Sequence, residues 1–273
     1  MVQPGVMKVR QKTICVVGAD GRQQAAAAAL RRDGWTVLGA EGAGGADCIL
    51  LPMPLDPDSA GLARILRAAR PGAVALGGRV SRPVQEAADA AGVELIDYLL
   101  RPEFAILNAV PTAEGCLSLL LAERQQTVWQ SAFLVLGGGR VAEALAVRLT
   151  ALGGRVTVAA RAPAERARAL AAGCRAVPLT ELPSLLPGCG AVVNTIPAPV
   201  LGAALLALLP GGALVIDLAS KPGGVDAEAA RANGVRLLHA LSLPARCAPR
   251  TAGALVAHVV EAVLQERSAP YDQ

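Results

Sequence analysis

Short apolar runs rich in β-branched residues alternate along the chain with alanine-rich stretches of helical periodicity, and this alternation predicts βαβ units. In the first half, strands are predicted at residues 13–17, 35–39, 48–51, 73–76 and 93–96, with a first helix at 21–32. Between the second and third strands lies only Glu41-Gly42-Ala43-Gly44-Gly45-Ala46, too short for an ordinary crossover helix. The first sheet is therefore read as an abbreviated doubly wound sheet. After Asp97 the pattern breaks: residues 101–115 carry Pro102 and Pro111 and read as a linking segment, followed by a helix to about residue 123. A second series opens with a strand at 133–136 and continues with strands at 155–159, 175–177, 191–195, 213–217 and 235–238. A last helix at 251–266 lies beyond this six-strand count and is expected to pack back on the first sheet. The expected class is α/β, with two doubly wound parallel-sheet domains and an interdomain cleft. The boundaries fall at 1–105, a helical bridge at 106–125, a second domain at 126–248, and the terminal helix within 249–273.

Composition narrows the chemistry. At 273 residues the chain is long enough for two such domains. Hydrophobic residues make up 53% of it and aromatics 2%, which suits parallel strands under alanine-rich helices and leaves few rings for stacking nucleic-acid bases. The net charge of +4 is spread thinly, without a basic tail. Six cysteines are scattered without a C-x-x-C pair, and only two histidines could join them, so neither a metal site nor a disulfide framework is expected. The residues Met1-Val2-Gln3-Pro4-Gly5 do not resemble a secretory leader, and the uncharged stretch 198–216 is broken by Pro210-Gly211-Gly212. The expectation is a cytoplasmic protein without a membrane span.

Chemistry concentrates in the second series. Gly137-Gly138-Gly139-Arg140-Val141-Ala142 fits G-x-G-x-x-A directly after a predicted strand and opens a predicted helix, the context in which the pattern binds a dinucleotide in a Rossmann-like domain. The pyrophosphate then meets free N–H groups at the helix N-terminus. The next strand ends Val158-Ala159-Ala160-Arg161. An acidic residue would be needed there to hold the ribose hydroxyls of NAD, so its absence, with Arg161 in place, predicts NADP. Arg166 and Arg168 read as the solvated face of the following helix.

Two further loops leave the same sheet edge. Asn194-Thr195-Ile196-Pro197 is expected near the nicotinamide, and Ser220-Lys221-Pro222-Gly223-Gly224 offers a cation beside two glycine N–H groups, a carboxylate site in outline. Turn chemistry alone would account for their prolines and glycines equally well. In the first domain, Gly18-Ala19-Asp20-Gly21-Arg22 occupies the corresponding strand-to-helix turn without completing a fingerprint. Asp20 and Arg22 are expected to face the cleft, although Asp20 also reads as a helix N-cap. His239 and His258 are weak acid–base candidates: His258 reads as a packed or solvated residue of the last helix, and His239, at the end of the last strand and nearer the cleft, has no carboxylate beside it in sequence.

Taken with residues 104–115, 194–198 and 248–253, the blocks Gly18-Ala19-Asp20-Gly21-Arg22-Gln23 and Asp217-Leu218-Ala219-Ser220-Lys221-Pro222-Gly223-Gly224 resemble the A subunits of bacterial dipicolinate synthases. The resemblance implies NADP-linked oxidation of dihydrodipicolinate to dipicolinate during sporulation, in the mother cell, in an oligomer with a flavoprotein-like B subunit. It implies a small cyclic dicarboxylate held by Asp20, Arg22, Thr112, Ser220, Lys221, Gly223 and Gly224, with Asn108, Glu114 and Lys221 as candidates for orienting the ring or taking its proton. Two other readings stay open: a reductase similar to shikimate dehydrogenase, and a non-catalytic NADP-binding scaffold or sensor protein.

Overall fold

The structure is a computed structural model, and it describes residues 12–53, 55 and 61–268. The N-terminal pentapeptide read for a leader lies outside them. In chain order the elements begin β1 (Thr13–Val16), α1 (Gly21–Arg32), β2 (Thr36–Leu38), a 3-10 segment (Ala40–Gly45), β3 (Cys48–Leu50), α2 (Leu62–Ala68), β4 (Val74–Gly77), α3 (Arg82–Ala90), β5 (Glu94–Asp97) and α4 (Pro102–Arg124). There follow β6 (Ala132–Leu136), α5 (Arg140–Ala151), β7 (Arg155–Ala159), α6 (Pro163–Ala171), β8 (Arg175–Val177), α7 (Leu182–Leu185) and β9 (Ala191–Asn194). The chain closes with α8 (Ala203–Leu206), β10 (Leu214–Asp217), α9 (Ala227–Ala232), β11 (Arg236–His239), α10 (Leu243–Cys247) and α11 (Pro249–Ser268).

Two compact units result, one of Met1–Ala105 with Pro249–Gln273 and one of Ile106–Ala248. The first holds a five-stranded parallel sheet in the order β2-β1-β3-β4-β5. The short glycine-rich stretch before β3 crosses over as the 3-10 segment, which covers the same rise in fewer residues than an α-helix. Helix α11 packs on α1 at very close range: a Cβ on Gly253 would stand 2.5 Å from the Arg22 carbonyl oxygen and 2.6 Å from the Ala26 nitrogen. Only glycine facing an alanine-rich helix allows backbones so near. The Trp35 indole N–H donates to Glu261 on α11 at 3.0 Å, and Arg101 forks onto Glu266 at 2.8 and 2.5 Å.

The second unit is built on a six-stranded parallel sheet, β11-β10-β9-β6-β7-β8, the strand order of a full dinucleotide-binding domain. Its apolar core lies on both faces, with Val135, Leu145, Leu149 and Ile216 on one and Leu134, Leu136, Leu206 and Val215 on the other. Such two-sided burial explains why its strands read as continuous apolar runs.

Helix α4 departs from the expected linker. It starts at Pro102 and carries Pro111 inside it, although proline removes one intrahelical N–H. The buried stripe Ala109, Ala113, Cys116 and Leu120, at spacings of four, three and four, outweighs that single lost bond. By length and composition α4 is also apolar enough to cross a membrane, but Ala113, Cys116 and Leu120 belong to the core of the second unit. Burial pushes the Cys116 thiol up to about 12, which leaves it a packing group rather than a nucleophile.

Candidate functional site

Parallel register assembles the site before any side chain is considered. At the carboxyl ends of five neighbouring strands, Ala159, Leu136, Asn194, Asp217 and His239 are successive lateral partners. The loops that follow these strands therefore leave one edge together. The strand order reverses direction between β6 and β9, the place where open α/β sheets bind ligands.

The glycine turn stands at that reversal. Gly137 has a φ of +106°, and a Cβ there would collide with the Thr195 hydroxyl and come within 3.2 Å of Ile196. Thr195 in turn donates to the Leu136 carbonyl at 2.8 Å. Gly139 differs. It has extended backbone, caps α5 without any side-chain bond, and nothing lies within 4 Å of where its Cβ would be. A helix N-terminus with unspent N–H groups thus faces open space over a residue that has no side chain, which fits the pyrophosphate of a dinucleotide. The corresponding turn of the first unit is closed instead: the Asp20 carboxylate accepts from the Arg22 and Gln23 amides at 2.9 Å each. The Gln23 amide group donates to the Val17 and Leu51 carbonyls at 2.8 and 2.9 Å, spanning the crevice between β1 and β3.

Asp217 organises the neighbouring loops. Fully buried, it accepts at one oxygen from Asn194 Nδ2 at 2.8 Å and the Ala219 amide at 3.0 Å. Its other oxygen accepts from the Gly224 amide at 2.9 Å and lies 3.7 Å from His239 Nδ1. Asn194 completes the tie by accepting from the Ile196 amide at 3.0 Å. Gly224 is required by proximity, since a Cβ would lie 2.6 Å from the Ile196 carbonyl and 2.9 Å from that of Ala198. Ser220 and Lys221 are exposed at the tip of this braced loop, and Lys221 precedes a cis proline.

At the end of β7, Arg161 is exposed and its guanidinium has no partner among the described residues. Arg166 does not lie on a solvated face as expected. It is half-buried and donates to the Ala160 and Arg161 carbonyls at 2.9 and 2.7 Å, because the turn between β7 and α6 leaves those oxygens without a ladder partner. Arg168 reaches the Gly138 carbonyl at 3.3 Å and Glu143 at 3.7 Å. Glu165 packs directly against Gly138.

The comparisons with known proteins agree with this geometry. The family model described as NADP oxidoreductase coenzyme F420-dependent matches residues 132–221, from β6 to the Lys221 loop. The A subunit of dipicolinate synthase from Bacillus subtilis (strain 168) is 35% identical over 173 residues, 63% of this chain and 58% of the relative. The crystal structure of the dipicolinate synthase A subunit from Bacillus halodurans superimposes with a TM-score of 0.84 at 28% identity, covering 95% of this chain and 98% of that one. The chain resembles the dipicolinate synthase A subunit in sequence and in fold. Its sequence match spans less than two thirds of the length of that Bacillus subtilis relative. A transhydrogenase from Sinorhizobium meliloti shares the fold alone, at 19% identity and a TM-score of 0.72 over 87% of this chain and 79% of that one. The second unit is thus a Rossmann fold of the nicotinamide-dinucleotide, dehydrogenase type.

Several residues singled out from sequence occupy different surroundings from those expected. Both glycine N–H groups of the Lys221 loop are already used, Gly223 on the Ser220 carbonyl at 2.8 Å and Gly224 on Asp217, so they are not free donors for a ligand carboxylate. The tight turn closes on itself because Asp217 lies beneath it. Arg22 is buried and donates to the Met53 carbonyl instead of standing open in the turn. Asp20 takes its N-cap role. On α4, Thr112 donates its hydroxyl to the Asn108 carbonyl at 2.8 Å, placing these two on one helical face. Glu114 lies elsewhere on the helix, exposed and paired with Arg148 at 3.2 Å.

Sequence reasoning passed over Asp217, Gln23, Glu165 and the pairing of His239 with Asp217. The His239 pairing was legible in principle. Aligning the two predicted strands 213–217 and 235–238 as parallel neighbours brings the ends of both to one edge.

Proposed function

We propose that the chain is the NADP-dependent dehydrogenase component of a dipicolinate synthase, oxidising dihydrodipicolinate to dipicolinate. The observation that supports it most is the pairing, at one sheet edge, of an open glycine turn with a loop braced on Asp217 that presents Lys221. The nicotinamide accepts a hydride when bound. Gly137, Gly138, Gly139, Arg140 and Val141 would hold its pyrophosphate, Arg161 the 2′-phosphate, and the loop Asn194, Thr195, Ile196, Pro197 the nicotinamide side. Lys221, with Ser220 beside it, takes a carboxylate of the substrate and fixes the ring. Asn108 and Thr112 remain candidates for orienting that ring.

Aromatisation sends one hydride to NADP and releases one proton. Of the groups considered as base, Glu114 already has Arg148 as its partner, and Lys221 cannot both hold a carboxylate as a cation and accept a proton. We assign the proton to His239, whose other ring nitrogen faces Asp217. By the resemblance, the enzyme works in the cytoplasm of a sporulating mother cell, with a flavoprotein-like B subunit.

The test is turnover of freshly generated dihydrodipicolinate with NADP, with and without the B subunit, followed by NADPH and dipicolinate absorbance. No product under either condition refutes the proposal, and turnover of shikimate instead favours the reductase reading. Cofactor choice is tested by Arg161→Asp, which should weaken NADP binding at least tenfold more than NAD binding. An equal loss would transfer ribose recognition elsewhere, with Glu165 beside Gly138 as the acid that suits NAD.

A further inference from the structure

A cavity of about 250 Å³ opens at the amino edge of the second unit's sheet, at the opposite end of the strands from the glycine turn. Strands β9 and β10 are four residues long, so roughly 10–13 Å separates the two edges. At a water's share of about 30 Å³, the cavity holds roughly eight waters or one small metabolite. Its wall is formed by Arg236 at the start of β11, by Glu123 and Arg124 in the last turn of α4, by Gln126 just beyond, and by Gly190 and Gly212 ahead of β9 and β10. A Cβ on either glycine would meet nothing within 4 Å, so that side of the wall is open backbone.

Charge in this wall is unbalanced. Glu123 is committed, because Arg236 donates to its carboxylate and, at 3.1 Å, to its carbonyl. The second of these bonds also caps the end of α4, whose dipole would otherwise oppose an anion. Arg124 has no acidic partner among the described residues. Its guanidinium lies 5.0 Å from the centre of the Phe133 ring and donates to Gln126 Oε1 at 3.0 Å, and burial without a counter-charge lowers its pKa. The cavity therefore carries a net positive charge. Spare N–H groups remain on Arg124, on Arg236 and, because its oxygen is taken, on Gln126 Nε2. Donors from three side chains on two walls suit a tetrahedral oxyanion, which accepts in several directions, better than a planar carboxylate. We infer that this cavity is a second anion site, separate from the dinucleotide turn, for phosphate, either free or as a small phosphate ester. The site stands independently of the proposed reaction.

Inorganic phosphate added to the nitrogen-15-labelled full chain should shift the Gln126 side-chain amide and the Gly190 and Gly212 backbone amides along one titration curve, while Gly139 reports the dinucleotide turn separately. Tighter binding of glycerol 3-phosphate than of the ion supports an ester as occupant, and weaker binding supports the free ion. Arg124→Met keeps a stem over Phe133 and should weaken phosphate at the cavity at least tenfold, the loss of hydrogen bonds to a charged acceptor, with NADPH affinity unchanged. Gln126→Ala, at an exposed position, should weaken it about tenfold and serves if Arg124→Met does not fold. Equal shifts with sodium chloride at matched ionic strength, a response confined to Gly139, or phosphate affinity unchanged in the folded variants overturns the site and leaves Arg124 as a cation at a helix end.

Discussion

Two glycines two residues apart in one turn should respond to the same methyl group in opposite ways. Gly137→Ala places a Cβ against the Thr195 hydroxyl at a φ of +106°. The backbone costs roughly 1–2 kcal/mol for an L-residue, and displacing Thr195 from the Leu136 carbonyl costs about 1 kcal/mol more. A stability loss of about 2–3 kcal/mol follows. Gly139→Ala meets nothing within 4 Å and needs no unusual φ. A weaker N-cap and a less flexible unfolded chain nearly cancel, so stability should change by no more than about 1 kcal/mol. The same methyl occupies the space above the α5 N-terminus, and displacing even one phosphate oxygen from its N–H should weaken dinucleotide binding about tenfold to a hundredfold. Urea unfolding and fluorescence titration with NADPH, run on both variants, separate the two effects. Wild-type dinucleotide affinity in a stably folded Gly139→Ala protein would refute the placement of the pyrophosphate on this turn.

Three other expectations concern the loops and the terminal helix. Asp217→Asn turns an amide nitrogen toward one of its three N–H donors. It should cost about 2–4 kcal/mol and speed hydrogen exchange at Ala219 and Gly224, while unchanged exchange would show that the carboxylate does not brace the loop. His239→Gln should lower turnover about a hundredfold with dinucleotide affinity intact, and an undiminished pH–rate profile would free His239 of the proton. The Arg101 hydrogen bond holds Glu266 below the usual glutamate range, so the tie to α11 is present above that range and is lost as pH falls through the folded-state value. Melting temperature plotted against pH should therefore decline on the acid side in the wild type and less steeply in Arg101→Met. Parallel curves would assign the acid sensitivity to other carboxylates.

How much of this was legible in sequence depended on the range of the interaction that decides it. Apolar runs, glycine punctuation and the G-x-G-x-x-A turn are local, so the sequence alone determined two parallel α/β sheets and a dinucleotide fold, with the loops carrying Asn194 and Lys221 at one edge. The start of α4 was missed because prolines at 102 and 111 outvoted a buried stripe that only a partner surface makes worthwhile. The fates of polar side chains were decided by tertiary structure. Asp217, buried beneath the loop, takes Gly224's N–H, while Glu114 meets Arg148 of another helix and Arg22 turns inward to Met53. Hydrogen bonds between residues far apart in sequence follow from register and packing, which no window along the chain contains. The open turn after β6 and the closed turn after β1 look alike as sequence. They differ because Asp20 and Gln23 fill one and no side chain stands over Gly139 in the other.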